Sequence, residues 1–317
     1  MLDKTAVRKI ENKIKERISL WEKSGFLKDL EPHLKSNLAI LLENQRLNSD
    51  GRNLPGKFKR IAISLTSRIF RNLVANEIVS IQAMLGREWV VRWFDGNDEI
   101  REPINALSRN TKTNWYDDHL DATRKDIRFN MDGELADYMA QELRAEIDRE
   151  ILKDVLNAAP HYKHNFLRTE ETTRTAYNDL RETIIVLARD MERTGRGANW
   201  IITSPEISAL FEIDEHFTPA KTYSKWCYLG EVGQAGTLGD KFKIYKDPLF
   251  PINTILMGYK GEHPNDAGYF YCPHLILDLD EEKNTGSPRK LKTSYSKKLR
   301  FDSDRYYARI TLANFIS

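Results

Sequence analysis

Hydrophobic positions near the start of the chain fall at helical spacing. Val7, Ile10, Ile14, Ile18 and Trp21, with Lys and Arg between them, predict an amphipathic helix with one apolar stripe. Short apolar clusters follow, and then Asn48-Ser-Asp-Gly-Arg-Asn-Leu-Pro55-Gly56, whose turn residues predict a loop. On this pattern the N-terminal segment has no core of its own and is expected to pack on something else. From Ile69 to Phe94 the chain turns apolar, and Trp89-Val-Val-Arg-Trp-Phe94 has the β-branched and aromatic content of a strand. Asp95 to Asn130 is polar and weakly patterned, with Asp95-Gly-Asn-Asp98 as a turn. A segment this long exceeds an ordinary connection and predicts a protruding hairpin or loop. The clearest helix comes next. Leu135, Met139, Leu143, Ile147, Ile151 and Val155 recur at four-residue steps between a capping Asp132 and a terminating Pro160. A helix from Gly133 to Ala159 spans about 40 Å at about 1.5 Å per residue, a spine for the fold.

A second amphipathic helix carries Ala176, Leu180, Ile184, Leu187 and Met191 and ends at Gly195. Asn199-Trp-Ile-Ile-Thr203 reads as an apolar strand, and Ser204-Pro205-Glu206 as the N-cap, first-turn proline and acidic opening of a short helix. The remainder reads mostly as strands: 241–245, 254–259, 268–272, 275–279 and 306–315. The order of elements predicts an α+β chain.

Composition narrows the class. At 317 residues, with 40% hydrophobic and 30% charged, the chain can bury a sizeable core and suits a soluble folded protein. No apolar run approaches the roughly 20 residues of a membrane-spanning helix, so no membrane partner is expected. Met1-Leu-Asp-Lys-Thr5 lacks the apolar core of a secretory signal, which predicts synthesis in the cytosol. Two cysteines, Cys227 and Cys272, are too few for a disulfide framework. The net charge is only +2, but it is uneven: residues 1–60 hold 14 Lys/Arg against 8 Asp/Glu, +6, leaving −4 for the rest. A basic arm on a weakly acidic body admits an acidic protein surface or nucleic acid as partner, or simply a solvated helix face.

Candidate chemistry is sparse. Gly230-Glu-Val-Gly233-Gln-Ala-Gly236-Thr-Leu-Gly239-Asp-Lys241 invites comparison with a phosphate cradle. Such a cradle needs backbone N–H groups converging where a helix begins, and here a strand-like run follows Lys241. His161, His164 and Cys272-Pro-His274 form no closed set with zinc spacing. Asp278-Leu-Asp280-Glu-Glu282 could ligate a cation through oxygens, but reads better as a strand running into solvent. No nucleophile elbow is found and neither cysteine has a recognisable reactive setting. No catalytic, cofactor-binding or metal-binding residue is assigned, and no cofactor. Two alternatives stay open on the residues alone: a nucleotide-binding enzyme using the glycine-rich loop 230–241, and a DNA-binding protein using the basic N-terminal arm.

Residues 69–94 and 198–317 resemble the major capsid proteins of tailed bacteriophages, in particular those of T-even-type myoviruses. The resemblance is carried by Phe70-Arg-Asn-Leu-Val-Ala-Asn-Glu-Ile-Val-Ser-Ile-Gln-Ala-Met-Leu-Gly86 and by Ala198-Asn-Trp-Ile-Ile-Thr-Ser-Pro-Glu206. Lys241-Phe-Lys-Ile-Tyr-Lys-Asp247, Ile255-Leu-Met-Gly-Tyr-Lys-Gly261, Asp266-Ala-Gly-Tyr-Phe-Tyr-Cys-Pro273 and Arg305-Tyr-Tyr-Ala-Arg-Ile310 complete it, in order and with a long helix between the first two.

That resemblance implies the HK97-like capsid fold. Its parts would be an N-terminal arm (1–68), an extended loop (78–131), a peripheral domain with the spine helix (132–165 and 291–317) and an axial domain (166–290). It implies a structural protein, not an enzyme, that self-assembles into an icosahedral head in the virion, made and assembled in the host cytoplasm. Expected partners are copies of itself in hexamers and pentamers, scaffolding protein, portal, decoration proteins and the DNA enclosed. The chain is shorter than the T-even-type prototype, which implies that the inserted domain of that relative is absent. Ile14-Lys-Glu16 and Leu41-Leu-Glu43 fit the cleavage pattern of the family's prohead protease, a pattern short enough to arise by chance. Covalent cross-linking belongs to another branch of the fold and is not implied.

Overall fold

A computed structural model describes residues 4–51, 53, 56–95, 98–110, 134–166, 173–193, 196–220, 232–263, 265–279 and 291–315. The chain divides into two compact units, one of residues 1–73, 81–146 and 270–298, the other of 74–80, 147–269 and 299–317.

The first unit opens with three helices, α1 (Lys4–Lys23), α2 (Pro32–Gly51) and α3 (Gly56–Asn72). Two expectations are corrected here. The loop placed at Asn48–Gly56 starts later, because α2 continues through Asn48, Ser49 and Asp50. The arm also has a core: Leu38, Ala39, Ile40, Leu41 and Leu42 are all buried, as are Trp21 and Leu27. A helix that is buried on every side, as α2 is over 37–45, shows no stripe, because it is surrounded rather than laid on a surface. That is why α2 read only as scattered clusters. α3 is conventional, with Ile61, Leu65 and Ile69 on its buried face.

A four-stranded sheet of order β1-β11-β12-β4 completes this unit, built from β1 (Ser80–Ile81), β4 (Leu107–Asn110), β11 (Tyr269–Leu279) and β12 (Leu291–Leu299). The strands expected at 268–272 and 275–279 are one. Pro273 is accommodated inside β11, where its carbonyl accepts the Met84 N–H at 2.8 Å. Between β1 and β4 stands the hairpin of β2 (Glu88–Asp95) and β3 (Asp98–Asn105), paired in register from Glu88↔Asn105 to Asp95↔Asp98. Trp93 roots it, stacked on Phe270 at 5.6 Å between ring centres beside Val91, Met84 and Cys272.

After a single turn, α4 (Ala75–Ile78), the expected spine is present as α5 (Glu134–Ala158). Asp132, its proposed cap, lies outside the described residues. The second unit is a mixed seven-stranded sheet of order β5-β13-β10-β6-β9-β8-β7. Its strands are β5 (His161–Asn165), β6 (Trp200–Thr203), β7 (Phe217–Pro219), β8 (Gly233–Leu238), β9 (Phe242–Lys246), β10 (Thr254–Gly258) and β13 (Tyr307–Ala313). Helices α6 (Thr173–Arg193) and α7 (Pro205–Glu212) lay Leu180, Ile184, Ile207 and Phe211 onto Ile201, Ile244, Ile255 and Ile310. Ser204 caps α7 as its sequence requires, its side chain accepting from the Ile207 N–H, with Pro205 in the first turn.

Candidate functional site

The glycine ladder is not a loop. Gly233, Gly236 and their neighbours form β8, bonded to β7 on one side and β9 on the other. At Gly236 a Cβ would stand 2.4 Å from both the Phe217 ring and the Thr218 carbonyl oxygen, so glycine here allows close strand packing. Gly239 and Asp240 both have positive φ and form a tight turn closed by Lys241 N–H to the Leu238 carbonyl, the pairing of a primed hairpin turn. A strand follows, so the amides do not converge on a helix end. Gly230 lies outside the described residues.

The other nominated residues are dispersed. His161 sits on β5 with its Nε2 2.9 Å from the Thr311 hydroxyl, and His164 Nδ1 lies 3.0 Å from that of Thr183. Burial lowers the His164 pKa and holds the ring neutral. No group of three His, Cys, Asp or Glu side chains placed to hold a metal occurs among the described residues. Cys272 is buried and its thiol pushed up by desolvation, the setting of an inert thiol. Cys227 and Asp280–Glu282 lie outside the described residues.

Part of the arm's positive charge is used internally. Glu43, its carboxylate 1% exposed, takes Arg17 Nη2 at 3.0 Å and the Arg46 fork at 2.6–3.1 Å. Asp50 takes Arg46 Nη1 and Lys59 Nζ, each at 2.7 Å. Cations paired in this way are poor candidates for neutralising phosphates. Of the two cleavage-like patterns, Leu41-Leu42-Glu43 is buried in α2, whereas Glu16 is exposed on α1.

What the first unit does present is a braced hairpin. Asn37 and Asn44 stand two turns apart on one side of α2. The Asn37 amide donates to the Ile81 carbonyl at 2.9 Å and its oxygen accepts the Ala83 N–H at 2.7 Å. Asn44 Nδ2 donates to the carbonyls of Met84 and His274, at 2.7 and 2.9 Å. The segment 81–84 held in this way bonds along β11 through Gln82 and Met84. The Gln82 side chain grips β2 in turn, donating to the Arg92 carbonyl at 2.7 Å and accepting its N–H at 3.1 Å. A buried helix therefore fixes the base of a hairpin whose far strand, β3, exposes alternate residues to solvent. An open cavity of about 660 Å³ beside that base is lined by Lys13, Leu85, Trp89, Val90, Pro103 and Ile104. Sequence reading missed both asparagines. Their i, i+7 spacing within an otherwise apolar run was the available signal.

The second unit holds a polar hub. The Asp266 carboxylate accepts from Arg196 Nε at 2.7 Å and from the Tyr259 hydroxyl at 3.1 Å. Arg196 lies over the rings of Tyr259 and Tyr306. Nearby, Arg300 and Asp302 form a buried two-pronged pair at 2.7 and 2.9 Å, with the guanidinium 5.0 Å from the Tyr306 ring centre. Every charge in this hub is matched by another. Such an arrangement fixes the approach to β13 and offers no general base or nucleophile.

Comparison with known proteins finds a matching family and several relatives. Residues 100–306 match the family model described as major capsid protein Gp23. The major capsid protein of Serratia phage KSP90 is 25% identical over 202 residues, 57% of this chain and 46% of that protein. The major capsid protein of Vibrio phage KVP40 is 28% identical over 201 residues, covering 56% and 39%. That of Enterobacteria phage T4 is 24% identical over 223 residues, covering 62% and 43%. The chain spans about half the length of the curated relatives it matches, or somewhat less. Among solved structures, a virus-like particle from Pyrococcus furiosus superposes with a TM-score of 0.48 at 11% identity, over 81% of this chain and 100% of that one. The capsid of an empty GTA particle gives 0.41 at 10%, over 75% and 89%.

Proposed function

We propose, for a chain that belongs to the Gp23 family of major capsid proteins, that it builds a bacteriophage head by assembling with copies of itself into a closed shell in the virion. The family match over residues 100–306 carries this reading. The matched segment takes in most of the second unit together with β3, β4 and β11, so it reaches well beyond one motif. The HK97-like division accompanies it: an arm over 1–68, an extended loop over 78–131, a peripheral domain of 132–165 with 291–317, and an axial domain over 166–290. On this division the boundary between the last two falls inside the seven-stranded sheet, between β13 and β10, which pair antiparallel.

Assembly needs a rigid body and elements that reach outward. The hairpin braced by Gln82, Asn37 and Asn44 is a reaching element with a fixed base. Contacts made by many identical copies add up even when each is weak. Closed shells arise from head-to-tail contacts around rotation axes. A net charge of only +2 keeps repulsion between packed copies small. Scaffolding protein, portal, decoration proteins and enclosed DNA are the partners this role calls for. Electron microscopy of the purified chain, expressed with and without a scaffolding protein, tests it. Shells, rings or hexamer tubes are expected. A chain that stays monomeric in both conditions, or that binds ATP or duplex DNA saturably as a monomer, refutes the reading.

A further inference from the structure

Surface turns are normally built from Gly, Pro, Asn, Asp and Ser. The connection from β9 to β10 has Asp247, Pro248, Pro251 and Asn253 of that kind, and sets two large aliphatic residues, Leu249 and Ile252, among them. Pro248, Leu249, Pro251 and Ile252 are apolar and exposed, Leu249 to 65% and Ile252 to 47%, while Phe250 between them is buried.

The turn is fastened on every side. The buried Asp247 carboxylate accepts the Leu249 N–H at 2.9 Å, and the Asp247 carbonyl accepts that of Phe250 at 3.0 Å. Asp247 donates its own N–H to Thr203 on β6. The Pro251 carbonyl accepts from Thr254 N–H, that of Ile252 from the Ser204 hydroxyl, and that of Asn253 from Leu312 N–H on β13. Two prolines fix φ as well. Leu249 and Ile252 are therefore presented on a pre-organised scaffold, and binding them costs little ordering entropy.

We infer that the 248–252 turn is a docking point between copies of this chain, with Leu249 and Ile252 as its apolar centre. This rests on the self-assembly reading. A chain of a capsid-protein family meets copies of itself more than any other surface. The turn exposes no charge from Pro248 to Asn253, as suits the centre of a protein interface and not a phosphate backbone.

The test is site-specific photo-crosslinking. A benzophenone amino acid replaces Leu249 in the full chain, particles are assembled, and the cross-linked peptides are mapped by mass spectrometry. Covalent dimers joining residue 249 to a second copy are expected. In parallel, the Leu249→Ser/Ile252→Ser variant should lose at least about tenfold in particle yield with an unchanged unfolding midpoint. Ile213→Ser, at a still more exposed apolar residue outside the turn, should assemble normally. Particles that form without any copy-to-copy cross-link from residue 249 overturn the inference and leave the capsid role standing. So does a yield that stays normal in the folded double variant. A wild-type chain that forms no particle or ring overturns both. If the double variant fails to fold, the cross-link map decides.

Discussion

Removing the charge of Glu43 tests whether the arm is held together as its geometry indicates. Glu43 is buried in α2 between Arg17 of α1 and Arg46 one turn on, and the Arg46 pKa is raised, chiefly by its bond to Glu43. A hydrogen bond to a charged group contributes roughly 1.5–3 kcal/mol and a neutral one roughly 0.5–1.5, so Glu43→Gln weakens each contact without emptying the space. Arg46 keeps Asp50 as partner, and both guanidinium groups are partly exposed, so water recovers a share of the loss. The net destabilisation is about 2 kcal/mol, most of it at the α1–α2 contact. For a unit of this size that lowers the melting temperature by about 4–8 °C. Circular dichroism melts of the unassembled chain, with Arg17→Ala and the double variant completing a cycle, read both the total and the coupling. Coupling of about 1 kcal/mol between residues 17 and 43 is expected. A Glu43→Gln melt within about 1 °C of wild type, or zero coupling, refutes the claim that this carboxylate joins the two helices.

Other consequences are checked more briefly. Burial, followed by the nearby Arg87 charge, holds the His274 pKa below its usual 6.5, while a bond to the Met84 carbonyl opposes this. The unfolded chain therefore takes up the proton first. Stability is constant above about pH 6.5 and falls as the pH drops below it, so the urea midpoint should be lower at pH 5.5 than at 7.5, with the difference reduced in His274→Asn. Gly236→Ala should destabilise the second unit by about 1–3 kcal/mol, because the new methyl meets the Phe217 ring and a backbone oxygen; an unchanged melting temperature would contradict that packing. A glutamate-specific protease should cut the folded chain after exposed Glu16 and spare Glu43, as read by mass spectrometry of early fragments. Deleting residues 1–28 removes α1 with buried Trp21 and Leu27 but keeps α2 and its asparagine braces, and should abolish closed shells while subunits stay soluble. A cut after residue 45 would also delete the Asn37 and Asn44 braces and confuse assembly with folding.

The elements legible in the sequence were those with one wet and one dry face. α5 announced itself through four-residue steps and α6 through steps of four and three, Trp89–Phe94 through its β-branched and aromatic run, and α7 through Ser204-Pro205-Glu206. Periodicity is a record of unequal surroundings, so it fails where surroundings are equal. α2 is buried on all sides over 37–45 and left no stripe, and its asparagines look like ordinary loop residues until the backbone they hold is in view.

The glycine ladder shows the same division. By itself the sequence determined that Gly230–Lys241 matched neither phosphate-binding template, because the run after it alternates like a strand. Only the tertiary structure decided that Gly233–Leu238 is a strand, with Gly236 under the Phe217 ring and Gly239-Asp240 turning the hairpin. Local chemistry restricts which backbone shapes a segment can take. The neighbour across a sheet, distant along the chain, selects among them, because hydrogen bonds and steric room depend on what arrives there.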